Sequence, residues 1–208
     1  MPSPVRQFLV YVAVLLLPCF ALWAVLSGPL AMPATGLVNL LISSWFPDLV
    51  LGVSANDGEA LVLTRFGELQ GRAVPLAEAD YRLAFSLNTR ILSYSLAFYT
   101  TLHFATRRDE YLGSYINGAF VLYVLFVLGL AALVIKELQQ NLPLAFANQQ
   151  AVWIPGTNLV AVLYQFNILI VPGLAPLALW FFQNRDTEVL AELLRWQGQA
   201  VNREADGR

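Results

Sequence analysis

Charged residues are scarce in this chain of 208 residues, in which Lys, Arg, Asp and Glu together make up 12%. Soluble domains carry about 25% charged residues, and 58% of this chain is hydrophobic. A single water-soluble core could not bury so much apolar surface. The composition therefore predicts an integral membrane protein that contacts membrane lipids.

Cysteine and histidine are also nearly absent, with one residue of each. One cysteine excludes an internal disulfide, and one cysteine with one histidine falls short of the ligand set of a zinc site. The net charge of −2 is too small for a nucleic-acid surface. The sequence contains neither a Gly-rich phosphate loop nor an HExxH motif. We therefore expect no cofactor and no nucleic-acid partner.

Four apolar runs predict four transmembrane helices, because a bilayer core about 30 Å thick needs about 20 apolar residues in a helix. Residues 8–26, 112–135 and 159–182 carry no charge. Residues 91–106 form a shorter, more polar run, which can span if Arg90 and Arg107 at its two ends extend their charged groups outward. The predicted fold class is a mainly α membrane protein with four spans.

The distribution of positive charge predicts the orientation of the spans. With the N terminus inside, seven arginines lie in the cytoplasmic segments 1–7, 107–111 and 183–208, whereas the loop 136–158 has one cation, Lys136. We therefore expect both termini in the cytoplasm and residues 27–90 and 136–158 in the periplasm. An alternative for residues 8–26 is a cleaved signal peptide, although this run is longer than the usual apolar core of about 7–15 residues.

The long first loop, residues 27–90, predicts a small antiparallel β-sheet module. A helix over 33–46 is expected to lie at the membrane interface, with Trp45 and Phe46 toward the lipid. Strands are expected at about 48–54, 59–66, 70–75 and 81–87, and Asp57-Gly58 is a strong hairpin signal. The module either caps two spans or docks a partner along an edge strand, for which the candidate residues are Tyr81, Arg82, Asn88 and Arg90.

Small residues recur every four positions in the second predicted span, namely Ser93, Ala97, Thr101 and Ala105. Such a stripe lets another helix approach closely, either within this chain or from a separate membrane protein. In the tail, residues 187–196 predict an amphipathic helix that lies on the inner membrane surface or pairs with a partner.

Several segments together resemble one known family. They are SPVRQFLVYVAVLLLPCFALW, SSWFPDLVLGV, DYRLAFSLNTRILSYSLAF and the exit WFFQNRD of the last span. The chain resembles the exosortase H-associated membrane proteins over nearly its whole length. The resemblance implies a bacterial inner-membrane protein encoded beside a sorting peptidase, a multispan cysteine enzyme that is thought to cut C-terminal sorting signals.

Cys19 raises the question whether this chain is itself a cysteine enzyme. Cys19 lies 13 residues beyond Arg6 and His103 lies four residues before Arg107, so the two would differ in membrane depth by more than about 10 Å. A nucleophile and its base need a separation of roughly 3 Å. The Ser-Gly that follows the exosortase cysteine is absent here. We therefore interpret Cys19 as a small residue beside Pro18.

The sequence leaves three functional hypotheses. The first is a non-catalytic accessory protein that binds a membrane protease or its substrates, with no catalytic residue of its own. The second is a membrane-embedded cysteine peptidase or transpeptidase that uses Cys19. The third is a structural subunit of an unrelated membrane complex.

Overall fold

A computed structural model describes residues 3–70, 72–106, 111–149 and 153–195. The described chain is mainly helical and contains one four-stranded sheet. Its helices are α1 (Pro4–Trp45), α2 (Arg90–Ala105), α3 (Tyr111–Asn141), α4 (Pro143–Ala147), α5 (Thr157–Gln165) and α6 (Val171–Gln183). Its strands are β1 (Val50–Asn56), β2 (Glu59–Leu69), β3 (Arg72–Pro75) and β4 (Tyr81–Asn88).

Three helical stretches in the described residues are long and apolar enough to cross a membrane. They are Pro4–Trp45, Leu112–Asn141 and Thr157–Gln183, the last of which joins α5 and α6. Helix α2, with 16 residues, is shorter than a typical span of about 20 residues. The structure thus has three candidate spans, and the fourth span stays a prediction.

Helix α1 differs from the prediction of a span over 8–26 followed by a separate helix over 33–46. The two are one helix of 42 residues that contains Pro18, Pro29 and Pro33. A proline removes one backbone donor but does not end a helix whose neighbouring turns stay hydrogen-bonded in an apolar environment. At about 1.5 Å per residue α1 is about 63 Å long, roughly twice the thickness of a bilayer core.

The sheet is antiparallel, and β2 is its central strand. Strand β4 pairs along one edge of β2, whereas β1 and then β3 pair along its other edge. The predicted hairpin is present, since Asp57 and Gly58 have φ angles of +49° and +83° at the β1–β2 turn. The strand bounds agree with the predicted ranges to within about three residues.

One face of the C-terminal half of α1 supports the sheet. Ala34, Val38 and Ile42 on α1 are fully buried and belong to one apolar cluster with Val53 of β1 and Val62 of β2. The C-terminal part of α3 joins the same cluster through Leu130, Val134 and Leu138. Helix, sheet and helix therefore share one hydrophobic core.

The expectation that Trp45 and Phe46 both face lipid is wrong for Phe46. The Phe46 side chain is fully buried in the shared core and lies 5.1 Å from the ring of Phe146 on α4. Trp45 is partly buried and stacks on Trp153. Hydropathy cannot distinguish these environments, because a core beneath a sheet and a bilayer both favour an apolar ring.

The last candidate span contains a π-turn over Phe166–Ile170, which ends two residues before Pro172. The N–H of Val171 donates to the carbonyl of Phe166, five residues back. Pro172 has no N–H, so a regular α-helix could not continue its hydrogen-bond pattern through this point. The buried Asn167 donates from Nδ2 to the carbonyl of Leu163 at 2.8 Å, which supplies a further bond to the backbone here.

The described part of the predicted tail is helical over residues 188–195. Leu190 is buried among Phe8, Leu102 and Trp180, and Val5 N donates to Glu192 Oε2 at 3.3 Å. The apolar side of this segment thus contacts the inner ends of the chain's own helices. The predicted loop residues 107–110 and tail residues 196–208 lie outside the described part of the chain, as do residues 1–2 and 150–152.

The Asn39 side chain joins α1 to the sheet, and its loss should destabilise the fold. Asn39 Oδ1 accepts from Val53 N at 2.8 Å and from Ser43 Oγ at 3.2 Å. Asn39→Ala leaves the Val53 N–H without this acceptor and should lower the free energy of unfolding by about 1–3 kcal/mol. Asn39→Asp keeps an oxygen and should lose less. Equal stabilities of the three proteins in detergent unfolding would contradict this role.

Candidate functional site

Three features of the structure could recognise another molecule: the outer edge of β4, and two apolar grooves between helices. We call the first groove, lined by Cys19, Trp23, Ala97, Thr100, Tyr115 and Ala119 among others, the Cys19 groove. The second, lined by Leu41, Trp45, Leu128, Trp153, Leu163 and Phe166 among others, is the Trp153 groove.

The two edges of the sheet differ. The Val53 N–H of β1 is directed away from β2 and is bound by Asn39, so α1 closes this edge. At the other edge, β4 pairs with β2 and with no second strand in the described residues. An open strand edge offers backbone donors and acceptors to an extended segment of another chain.

The predicted outer-contact residues lie along β4 and at the start of α2. Tyr81 is 60% exposed, and Arg82, Asn88 and Arg90 are exposed as well. The Arg90 guanidinium lies against the β1–β2 turn, where a Cβ on Gly58 would be 3.3 Å from Nε. The structure therefore brings Asn88 and Arg90 together at the inner end of β4, while Tyr81 and Arg82 lie at its outer end.

The predicted small-residue stripe on α2 is buried by helices of the same chain. Ser93 Oγ accepts from Trp23 Nε1 of α1 at 3.2 Å, and Thr101 is fully buried. Ala105 lies in the inner cluster with Phe8 and Trp180. Of the four residues, Ala97 alone lines the Cys19 groove. The small side chains thus serve helix contacts within this chain, and a partner contact at the stripe stays a prediction.

The Cys19 groove has a volume of about 460 Å³ and lies between α1, α2 and α3. Cys19 is partly buried in its wall. The lining side chains are aliphatic or aromatic apart from the thiol and the hydroxyls of Thr100, Tyr115 and Tyr123. Thr100 Oγ1 is 3.0 Å from the Tyr115 hydroxyl, and the Tyr123 hydroxyl donates to the Leu30 carbonyl. Among the described residues that line this groove there is no histidine or arginine.

A polar cluster that the sequence did not predict joins the C-terminal half of α2, the N-terminal end of α3 and the C-terminal end of α6. The Tyr99 hydroxyl is 2.7 Å from Gln183 Oε1 and 3.1 Å from the Ser114 carbonyl, to which Gln183 Nε2 also donates at 2.9 Å. His103 Nδ1 lies 3.5 Å from the same hydroxyl. Tyr99 reaches this position because Gly118 on α3 has no side chain in its way. The one sign of this cluster in the sequence is the i, i+4 spacing of Tyr99 and His103, which puts both side chains on one face of α2.

These contacts define a multi-span membrane protein in which a helix-supported sheet stands at one end of the spans. The family model described as exosortase H-associated membrane protein matches residues 2–187. The chain therefore belongs to this family, as the resemblance indicated. No curated protein and no solved structure matches the chain.

Two alanines of the small-residue stripe should respond differently to enlargement. Ala105→Leu adds volume inside a closed cluster and should lower the free energy of unfolding by about 1–3 kcal/mol. Ala97→Leu extends into the open Cys19 groove and should cost less. Thermal unfolding of both variants in the same detergent measures the difference. A larger loss for Ala97→Leu would show that the groove is closed in the folded protein.

Proposed function

We propose that this protein is a non-catalytic accessory subunit of an exosortase-type sorting system in the bacterial inner membrane. It binds a multispan membrane protease or the substrates of that protease, with both of its own termini in the cytoplasm. Membership in a family described by its association with an exosortase supports the cellular context. The open edge of β4 supports the binding of an extended partner segment as the mode of action.

The β4 edge is suited to an extended segment of the partner because its outward backbone groups can be identified. The Leu83 carbonyl accepts from Thr64 Oγ1 at 2.8 Å, so the backbone groups of Leu83 are directed toward β2. Successive residues of a strand alternate in direction. The N–H and carbonyl groups of Ala84 and Ser86 are therefore directed away from β2, where an added strand would bind them.

The side chains along this edge are polar and carry charges of both signs, since Asp80 is exposed beside Tyr81 and the exposed Glu59 accepts from Ser86 Oγ. Arg82 and Arg90 are both exposed and carry positive charge at the two ends of β4. Tyr81 adds an exposed aromatic ring beside Arg82. Backbone hydrogen bonds would supply affinity, and the exposed polar and charged side chains would favour a polar segment of the partner.

The surroundings of Cys19 support a non-catalytic role. A reactive cysteine is activated by an adjacent base or by positive charge. The described residues that line the Cys19 groove supply hydroxyls and apolar surface. Cys19 is accordingly assigned as a small residue that shapes the groove between α1 and α2.

Ala84→Pro tests the β4 edge. Proline removes the outward N–H of residue 84 and leaves the hydrogen bonds on the β2 side intact. We expect at least a several-fold loss of the protease or its substrate from material purified gently from the native host. Mass spectrometry of the co-purified proteins measures this loss.

Ala84→Ser is the matched control, because it changes the side chain and keeps the N–H. It should retain the partner at the level of the unaltered protein. Equal retention by the Pro and Ser variants, with both inserted in the membrane, would refute docking at this edge. Recovery of an unrelated assembly with all three proteins would instead support a structural subunit.

Cys19→Ala tests the non-catalytic assignment. Replacing the thiol by a methyl group should leave sorting-signal cleavage in the native host unchanged, because a small side chain remains in the groove. Immunoblots of a sorted protein, compared with a strain that lacks this gene, measure the cleavage. Loss of cleavage equal to that of the deletion strain, with normal membrane levels of the variant, would support the cysteine peptidase hypothesis.

A further inference from the structure

Residues 187–195 fold back on the helices after α6 ends, and their helical part is residues 188–195. This part contributes Leu190 to an apolar cluster with side chains from α1, α2 and α6. The other buried members of the cluster are Phe8, Leu102, Ala105 and Trp180. Leu190 is 3% exposed, whereas Leu194, one turn further on, is 50% exposed. The contact with the helices therefore centres on Leu190.

One hydrogen bond joins this segment to another helix within the described part of the chain. Val5 N, in the first turn of α1, donates to Glu192 Oε2 at 3.3 Å. The first N–H groups of a helix have no acceptor within the helix and carry partial positive charge, so a carboxylate is favourable beside them. Glu192 therefore supplies an acceptor that α1 cannot provide for itself.

The helices that the segment contacts are also held together by contacts of their own. Phe8 of α1 stacks on Trp180 of α6 with ring centroids 5.0 Å apart. Trp180 Nε1 donates to Thr106 Oγ1, directly after α2, at 2.7 Å. Neither contact involves residues 187–195. We therefore expect the three helices to keep their arrangement when the segment detaches.

The turn between α6 and the segment has local hydrogen bonds that do not depend on the cluster. Thr187 N and Oγ1 donate to the Asn184 carbonyl at 2.9 and 2.7 Å. The contacts that do bind the segment, through Leu190 and Glu192, come from a helix of about two turns. A helix of this length gains little stability from its own hydrogen bonds, so it is ordered by contact with the helices beneath it. These contacts should therefore form and break together.

We propose that residues 187–195 form a lid that opens and closes as one unit over the apolar cluster where α1 begins and α6 ends. In the closed lid Leu190 fills the cluster and Glu192 binds the first turn of α1. In the open lid the segment is detached, the Val5 N–H has lost its acceptor, and the cluster has lost its cover. The lid is independent of partner binding at β4.

Leu190→Ala tests whether the lid moves as one unit. Amide hydrogen exchange is followed by NMR in the isotope-labelled full chain in detergent micelles. The Ala191 N–H, which donates to the Thr187 carbonyl, reports on the lid, and the Val5 N–H reports on α1. The smaller side chain favours the open lid, so both amides should exchange about tenfold faster, and by the same factor. The amides of α2 should keep their exchange rates.

Leu194→Ala is the matched control, because Leu194 is 50% exposed. It should leave the exchange rates of the Val5 and Ala191 amides within about twofold of those in the unaltered protein. Glu192→Ala is a second opening variant for the case in which Leu190→Ala does not fold. It should speed exchange of the Ala191 amide several-fold, whereas Glu192→Gln, which keeps an oxygen acceptor, should speed it less.

Three results would overturn the proposal. The first is faster exchange at Ala191 but not at Val5 in Leu190→Ala, because the two contacts would then open separately. The second is an equal acceleration of the α2 amides, because the segment would then detach only when the bundle unfolds. The third is exchange of the Ala191 amide in the unaltered protein at the rate of an unstructured peptide. Each of these results leaves the β4 experiment unaffected, so the two proposals fail separately.

Discussion

The two faces of the C-terminal half of α1 impose the main constraint on this structure. Ala34, Val38 and Ile42 are buried beneath the sheet, whereas Leu37 and Leu40 on other sides of the same helix are at least half exposed. A small sheet of four strands is stable only when its apolar face packs against another element, and α1 supplies that element. Because α1 is continuous, the support for the sheet is also the extension of a membrane span.

Local patterns predicted the elements whose signals are short. The alternation of Tyr81, Leu83, Phe85 and Leu87 predicted β4, and Asp57-Gly58 predicted the turn that begins β2. The continuity of α1 was missed because Pro29 and Pro33 end helices in water more readily than in an apolar environment. Phe46 was misplaced because its hydropathy is the same in lipid and in a core.

The candidate sites were predictable to the extent that they depend on one strand or one helix. Alternation along β4 predicted a half-buried strand, and Arg82 and Asn88 are exposed, but Tyr81, which the alternation grouped with Leu83, Phe85 and Leu87, is 60% exposed as well. The stripe through Ser93 and Thr101 correctly indicated close helix contact, but spacing on one helix cannot say which chain supplies the other helix. The cluster of Tyr99, His103 and Gln183 needs α3 and α6 in register, which the sequence of α2 alone does not contain.

Partner binding at β4 would act directly on helix α2. Thr89 alone separates β4 from α2, and its hydroxyl donates to the Gly58 carbonyl at 2.6 Å. The Arg90 N–H donates to Asn88 Oδ1 at 2.9 Å, which fixes the angle between strand and helix. A strand added to β4 would therefore hold the outer end of α2 through short covalent and hydrogen-bonded links.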